Sequence, residues 1–186
     1  MMAIGCGLLL YVFLLAPPVA HLMESVMVVH MHMQMPMLVI AGFLVAPALQ
    51  RVLPRLFSRW NANGVPGNLL FSIIIMYWML PRTMDEALTA QSMEMFKFIS
   101  LPLLAGIPLR DSWGKLSSTW RTATIGGFTL LFYGAGAVYL GAAEQLCNNY
   151  LLLDQITLGW AFLLTAVAMT VYLLYATLVD RAAYEG

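Results

Sequence analysis

Charge is what this sequence has least of. Asp, Glu, Lys and Arg make up 10% of its 186 residues, where ordinary soluble domains carry about a quarter. Nine basic residues balance nine acidic ones, so no global basic field is available to hold nucleic acid. Glycine-rich phosphate loops and zinc-protease motifs are absent. The three histidines, His21, His30 and His32, fall in one short segment, and no nucleophile–base arrangement is evident. No enzyme activity is therefore expected. What the sequence has in excess is apolar surface, 61% of residues, far more than a disordered chain carries. That leaves an integral membrane protein with almost no mass outside the bilayer.

A spanning helix needs about 20 mostly apolar residues. Six stretches qualify or come close: 2–20, 24–47, 64–80, 92–109, 122–141 and 156–179, the third being short. No period-2 alternation suggests a barrel, so an all-α bundle of six transmembrane helices in one domain is expected. Met1 to Gly5 carries no positive side chain, which argues that the first span is retained rather than cleaved as a signal.

Basic residues mark the cytoplasmic side. The second-to-third loop carries Arg51, Arg55 and Arg59, the fourth-to-fifth Arg110, Lys115 and Arg121, and Arg181 follows the last span. The alternate loops have few or none. Both termini are thus expected in the cytoplasm. The i, i+4, i+8 spacing of Arg51, Arg55 and Arg59 would make one basic stripe on a short helix, and topology anchoring accounts for it. Asn61 to Gly64 reads as a turn. Cys6 and Cys147 fall on opposite sides of the bilayer, too far apart for a disulfide.

Methionine is the outlier. Eleven of the fourteen fall at one expected membrane level: Met23, Met27, Met31, Met33, Met35, Met37, Met76, Met79, Met84, Met93 and Met95. At 100° per residue Met23, Met27, His30, Met31 and Gln34 share one helix face, while His32 and Met33 point elsewhere. Thioether plus imidazole is a ligand set for Cu(I); the competing account is that methionine is ordinary apolar filler. Haem is not expected. All histidines lie on one helix, so bis-histidine ligation between helices is impossible within the chain, and only His30 with a methionine from another span could hold the iron.

Other polar residues have simpler readings. Glu94 and Lys97, three apart, can pair on one face of the fourth span, with Lys97 snorkelling to the interface. Asp154 opens the last span as a cap. Gly126-Gly127 and Gly134-Ala-Gly136 suggest close helix packing.

Three segments carry a family resemblance. They are His30-Met31-His32-Met33-Gln34-Met35 with the apolar stretch ending Ala46-Pro47, Tyr77-Trp78-Met79-Leu80-Pro81 through Asp85-Glu86-Ala87-Leu88, and Leu153-Asp154-Gln155-Ile156. Together they resemble the CtaG-type cytochrome c oxidase assembly factors, bacterial multispan membrane proteins; Ser92-Met93-Glu94-Met95 is similar to the family's Glu-His pair. Family histidines correspond here to Gln34, Met79 and Met95, and only His30 matches in kind.

The resemblance implies copper handling for a haem–copper oxidase in the bacterial inner membrane. On that reading Cu(I) sits between His30, Met79 and Met95 on the outer side, with Met27, Met31 and Gln34 around them. The alternative is a non-catalytic accessory subunit of a larger respiratory or photosynthetic complex that keeps the fold and has lost the metal site.

Overall fold

The computed structural model describes residues 2–179, and the described residues form helices joined by short turns. Arg181 lies outside them. The helices are α1 (Met2–Leu15), α2 (Pro17–Glu24), α3 (Met27–Val52), α4 (Pro54–Trp60), α5 (Val65–Trp78), α6 (Pro81–Thr89), α7 (Gln91–Trp113), α8 (Ser118–Gly141) and α9 (Leu152–Leu178). Four of them, α3, α7, α8 and α9, are long and apolar enough to cross a membrane. A fifth crossing arises if α1 and α2, bent by 72°, count as one, and α5 is a shorter apolar helix. The architecture is compatible with a multi-pass membrane protein.

Local chemistry explains the breaks. Ala16 precedes Pro17-Pro18 and is extended (φ −61°, ψ 122°), because a following proline disfavours the helical region. Val26 is extended too (φ −127°, ψ 123°), directly after the Ser25 hydroxyl has bonded the Leu22 carbonyl at 2.7 Å. The second span therefore begins at Met27, not Glu24, and it runs on through Pro47 to Val52. Met23 belongs to α2, so the expected single face from Met23 to Gln34 is interrupted, although all five of its residues are buried. Leu53 ends α3, which puts Arg51 on a different helix from Arg55 and Arg59. All three are exposed, but they do not form one stripe.

Two helices widen locally into π turns, His30–Gln34 in α3 and Leu101–Gly106 in α7. Each contains the carbonyl four residues before a proline, His32 before Pro36 and Leu104 before Pro108. A proline ring clashes with that carbonyl and offers it no N–H, and a wider turn relieves the clash. Pro47 has no such widening, so proline alone does not dictate it.

The core is a row of helices, α1 against α3, α3 against α7 and α7 against α5. Where α3 crosses α7 the backbones nearly touch. A Cβ on Gly42 would lie 2.1 Å from the Pro102 carbonyl oxygen, and one on Gly106 would lie 2.2 Å from that of Val39. Small residues permit this approach between apolar helices. The glycines expected to do so in α8 mostly do not. Gly126, Gly127 and Gly134 face open space, and only Gly136 packs closely, against Leu163 of α9.

Helices α8 and α9 form a hairpin that meets the core at both ends and also midway, where His32 packs on Phe162 and Phe71 on Phe128. The start of α9's partner surface is Met27–Val29 of α3. At the other end Asn68 of α5 donates to the Thr124 hydroxyl at 2.8 Å. A polar knot closes that same end of the core. Asp111 accepts from Gln50 (2.8 Å), Asn61 (2.6 Å) and Lys115 (2.7 Å), and the Asn61 side chain also accepts from the Gly67 N–H at 2.9 Å. The turn at Asn61–Gly64 is as expected, with Gly64 in the left-handed region at φ 79°.

Adding a methyl group at the α3–α7 crossing therefore has a cost. Gly42→Ala is expected to destabilise the protein by about 1–3 kcal/mol in detergent unfolding, while Gly126→Ala, whose Cβ meets nothing, stabilises it by up to about 1 kcal/mol. Equal effects at the two positions would contradict the crossing.

Candidate functional site

The buried polar cluster at the α2–α3 break is built from five residues on three separate stretches of the sequence. Glu24 ends α2, His30 and Gln34 bracket the π turn of α3, Lys97 lies in α7, and Tyr150 comes from the loop between α8 and α9. Lys97 is 0% exposed, as are His30 and Gln34. Its ammonium pairs with the Glu24 carboxylate and donates to His30 Nε2 at 3.2 Å and to Gln34 Oε1 at 3.3 Å. An ammonium has three protons and no acceptor, so these three partners satisfy it completely. Gln34 Nε2 closes the circuit by donating to Glu24 Oε1 at 3.2 Å.

The bonds also fix the histidine tautomer. Tyr150 donates its hydroxyl proton to the Glu24 carbonyl oxygen at 2.7 Å. That proton is used, so across the 2.9 Å contact between His30 Nδ1 and the Tyr150 oxygen the imidazole is the donor. Nε2 then carries the lone pair that accepts from Lys97. Both nitrogens of His30 are engaged by the protein itself.

Lys97 does not snorkel, and its partner is not Glu94. Glu94 is one helical turn back on the same helix and half-buried; the carboxylate that reaches the ammonium is Glu24, 73 residues away. Sequence reading missed Lys97, Glu24 and Tyr150 as members of this cluster. The available signal was a lysine inside an apolar stretch, which asks for a buried partner.

The expected copper ligands do not gather around one point. His30 and Gln34 belong to the polar cluster. Met95, two residues before Lys97 and so on the far side of α7, is 56% exposed. Met27 is buried in the apolar core. Met79 and Met31 line an apolar cavity together with His32, Met35 and Met169. Among the described residues no three His, Cys, Asp or Glu side chains come together as a metal-holding group. A copper ion at His30 would have to displace the Lys97 ammonium, so the residues present do not fit the metal there.

The loop that supplies Tyr150 is itself pinned. The Asp85 carboxylate of α6 accepts from the backbone N–H groups of Asn148 (2.8 Å) and Asn149 (3.4 Å). Gln155 accepts from the Leu146 N–H at 2.7 Å and donates to the Tyr139 carbonyl at 3.2 Å. Asp154 caps α9 as expected, accepting from the Leu151 N–H at 3.3 Å. Cys147 is buried in this loop and Cys6 is exposed, both as free thiols. Burial, reinforced by the Asp85 carboxylate, pushes the Cys147 thiol up to about 12, and burial followed by Glu24 raises the Tyr150 phenol as well.

Compared with known proteins, the chain matches no family model, no curated protein and no solved structure.

Two outcomes follow from this geometry. Lys97→Met leaves the Glu24 carboxylate buried without its counter-charge, and a loss of about 3–5 kcal/mol is expected in detergent unfolding. Pairing it with Glu24→Gln should recover much of that loss, and a single variant as stable as the parent would show the pair to be inert. For Cys147, the folded chain holds its proton to higher pH than the unfolded chain. Its contribution to stability is full below the ordinary thiol value of 9.0 and is lost as pH rises toward 12. Alkylation at pH 8, followed by mass spectrometry, should mark Cys147 only after denaturation; labelling at equal rates in the native protein would contradict its burial.

Proposed function

We propose that this protein is a non-catalytic membrane subunit, an accessory or assembly component of a larger respiratory or photosynthetic complex. On this reading it keeps the helix arrangement of a copper-handling assembly factor but joins its helices with an internal ammonium instead of a metal. One observation carries the reading: Lys97 is fully buried, and its three donors are spent on Glu24, His30 and Gln34. His30 and Gln34, two of the residues that resemble family ligand positions, are thereby committed to Lys97.

The membrane placement belongs to the same proposal. The bent α1–α2 pair and the short α5 complete six spans, with both termini on the side of the basic loops and the bacterial inner membrane as the location. A 14-residue helix such as α5 is about 21 Å long, shorter than the roughly 30 Å hydrocarbon core, so its ends rely on α4 and α6 to reach the interfaces. With almost no extramembrane mass, the surface available to a partner is the apolar flank of the spans.

The test is purification from native membranes in mild detergent under reducing conditions, with subunit composition and copper content measured together. Partner subunits at fixed stoichiometry, and copper content unaffected by His30→Ala, are expected. About one copper per chain, lost on replacing His30 and Met79, would overturn the proposal in favour of Cu(I) handling for a haem–copper oxidase. A monodisperse protein without partners would overturn it as well.

A further inference from the structure

The short helix α4 exposes two kinds of side chain that no single bulk solvent suits. It follows α3, which is 26 residues long and apolar enough to cross a membrane, so it begins where that helix ends. At 100° per residue Arg55 and Arg59 share one side of α4, Leu56 and Trp60 take the next, and Phe57 lies opposite the arginines. Phe57 is buried with Ala46 and Ile107, which turns that side to the protein. Leu53, Leu56 and Trp60 are exposed, and so are Arg55, Arg59 and Arg51 at the end of α3. Asn61 is fully buried and holds the far end of the helix through Asp111, Ser112 and the Gly67 N–H.

These arginines differ from the other basic residues at the same end of the bundle. Lys115 pairs with Asp111 at 2.7 Å, the Arg110 guanidinium lies 4.8 Å over the Phe43 ring, and Arg121 donates to the Gly114 carbonyl at 3.4 Å. Arg51, Arg55 and Arg59 have no ion pair, ring contact or side-chain hydrogen bond among the described residues. The sequence has no Asp or Glu between Glu24 and Asp85, and the Asp111 carboxylate is already spent on Gln50, Asn61 and Lys115. Three positive charges therefore stand beside exposed leucines and an indole. A guanidinium matches the paired oxygens of a phosphate. Tryptophan collects at the membrane–water boundary. A basic side next to an apolar one suits a helix lying at a surface of anionic lipid.

We propose that α4 is a binding site for an anionic phospholipid, with the headgroup phosphate held by Arg55 and Arg59, further charge supplied by Arg51, and the acyl chains against Leu56 and Trp60. This goes beyond the orienting effect of basic loops, which asks only that charge be present. Here one lipid class is selected at one place, by residues that have no other partner among those described. The proposal rests on the membrane placement and is independent of the role of the Lys97 cluster.

The experiment offers the full-length protein in mild detergent equimolar phosphatidylglycerol and phosphatidylcholine with the same chains, and counts the lipids that stay bound by native mass spectrometry. Preferential retention of phosphatidylglycerol is expected. A basic residue near an anionic surface contributes about fivefold in affinity, so Arg55→Gln and Arg59→Gln should each lower the preference by about that factor. Arg82→Gln removes the same charge beyond the opposite end of α5, where Arg82 is exposed, and should leave the preference unchanged. Phosphatidylglycerol brominated in its chains should quench a component of the tryptophan emission that is missing in Trp60→Phe. Equal retention of the two lipids would overturn the proposal, as would a preference that Arg82→Gln lowers as much as Arg55→Gln. Displacement of the lipid by an equal concentration of inorganic phosphate would overturn it in favour of a soluble anion. In protein purified with its partner subunits, a Trp60 that no brominated lipid quenches would overturn it in favour of a protein surface on α4. Retention of neither lipid would overturn it together with the membrane placement on which it rests.

Discussion

A buried ammonium is intolerant of partial solutions. Taken out of water, it needs an opposing charge and an acceptor for each remaining proton, and it needs them together. Lys97 meets that demand by drawing the end of α2, the π turn of α3 and the middle of the sequence in α7 to one point. The order of the segments around it then follows. The chain must break between Glu24 and Met27 so that a carboxylate on α2 can face a helix that runs elsewhere, and Ser25 and Val26 provide the break. His30 must present Nε2 as an acceptor, which requires Nδ1 to donate outward, and Tyr150 receives that bond.

Tyr150 carries the constraint into the second half of the molecule. It sits in the loop that joins α8 to α9, and its two bonds fix that loop to the α2–α3 break. Asp85 and Gln155 hold the same loop from other sides. The hairpin is thereby tethered at one end by polar bonds and at the other by Asn68 and Thr124. Midway between these tethers His32 of α3 meets Phe162 and Thr165 of α9, and Phe71 of α5 meets Phe128 of α8, beside an apolar cavity. His30 and His32, two residues apart and on different faces, serve the polar cluster and the packing against α9 respectively.

Much of the helical layout was legible because it is local. Apolar runs located the helices to within a few residues at most ends, and Asp154 marked the start of α9, but the first stretch, read as one span over 2–20, is broken at Pro17-Pro18 with a bend of 72°. The opposite facing of His30 and His32 was also readable from helical periodicity. The polar cluster was not, since the partners of Lys97 lie 63 to 73 residues away. A spacing argument finds the near carboxylate, Glu94, and misses Glu24. The methionines show a related limit of sequence position. Their clustering along one membrane level says nothing of radial direction, and the structure sends Met95 outward, Met27 into the core and Met79 to the cavity.

The state of the Lys97 amino group is the most direct test of the central claim. Solid-state nitrogen NMR of the lysine- and histidine-labelled protein in lipid bilayers reads it without perturbing the site. The predicted result is a charged ammonium with a through-space correlation to the Nε2 of a neutral His30 that carries its proton on Nδ1. A His30 nitrogen displaced by metal ligation, or a Lys97 signal with no histidine correlation, would contradict an internal cation as the link that joins the helices.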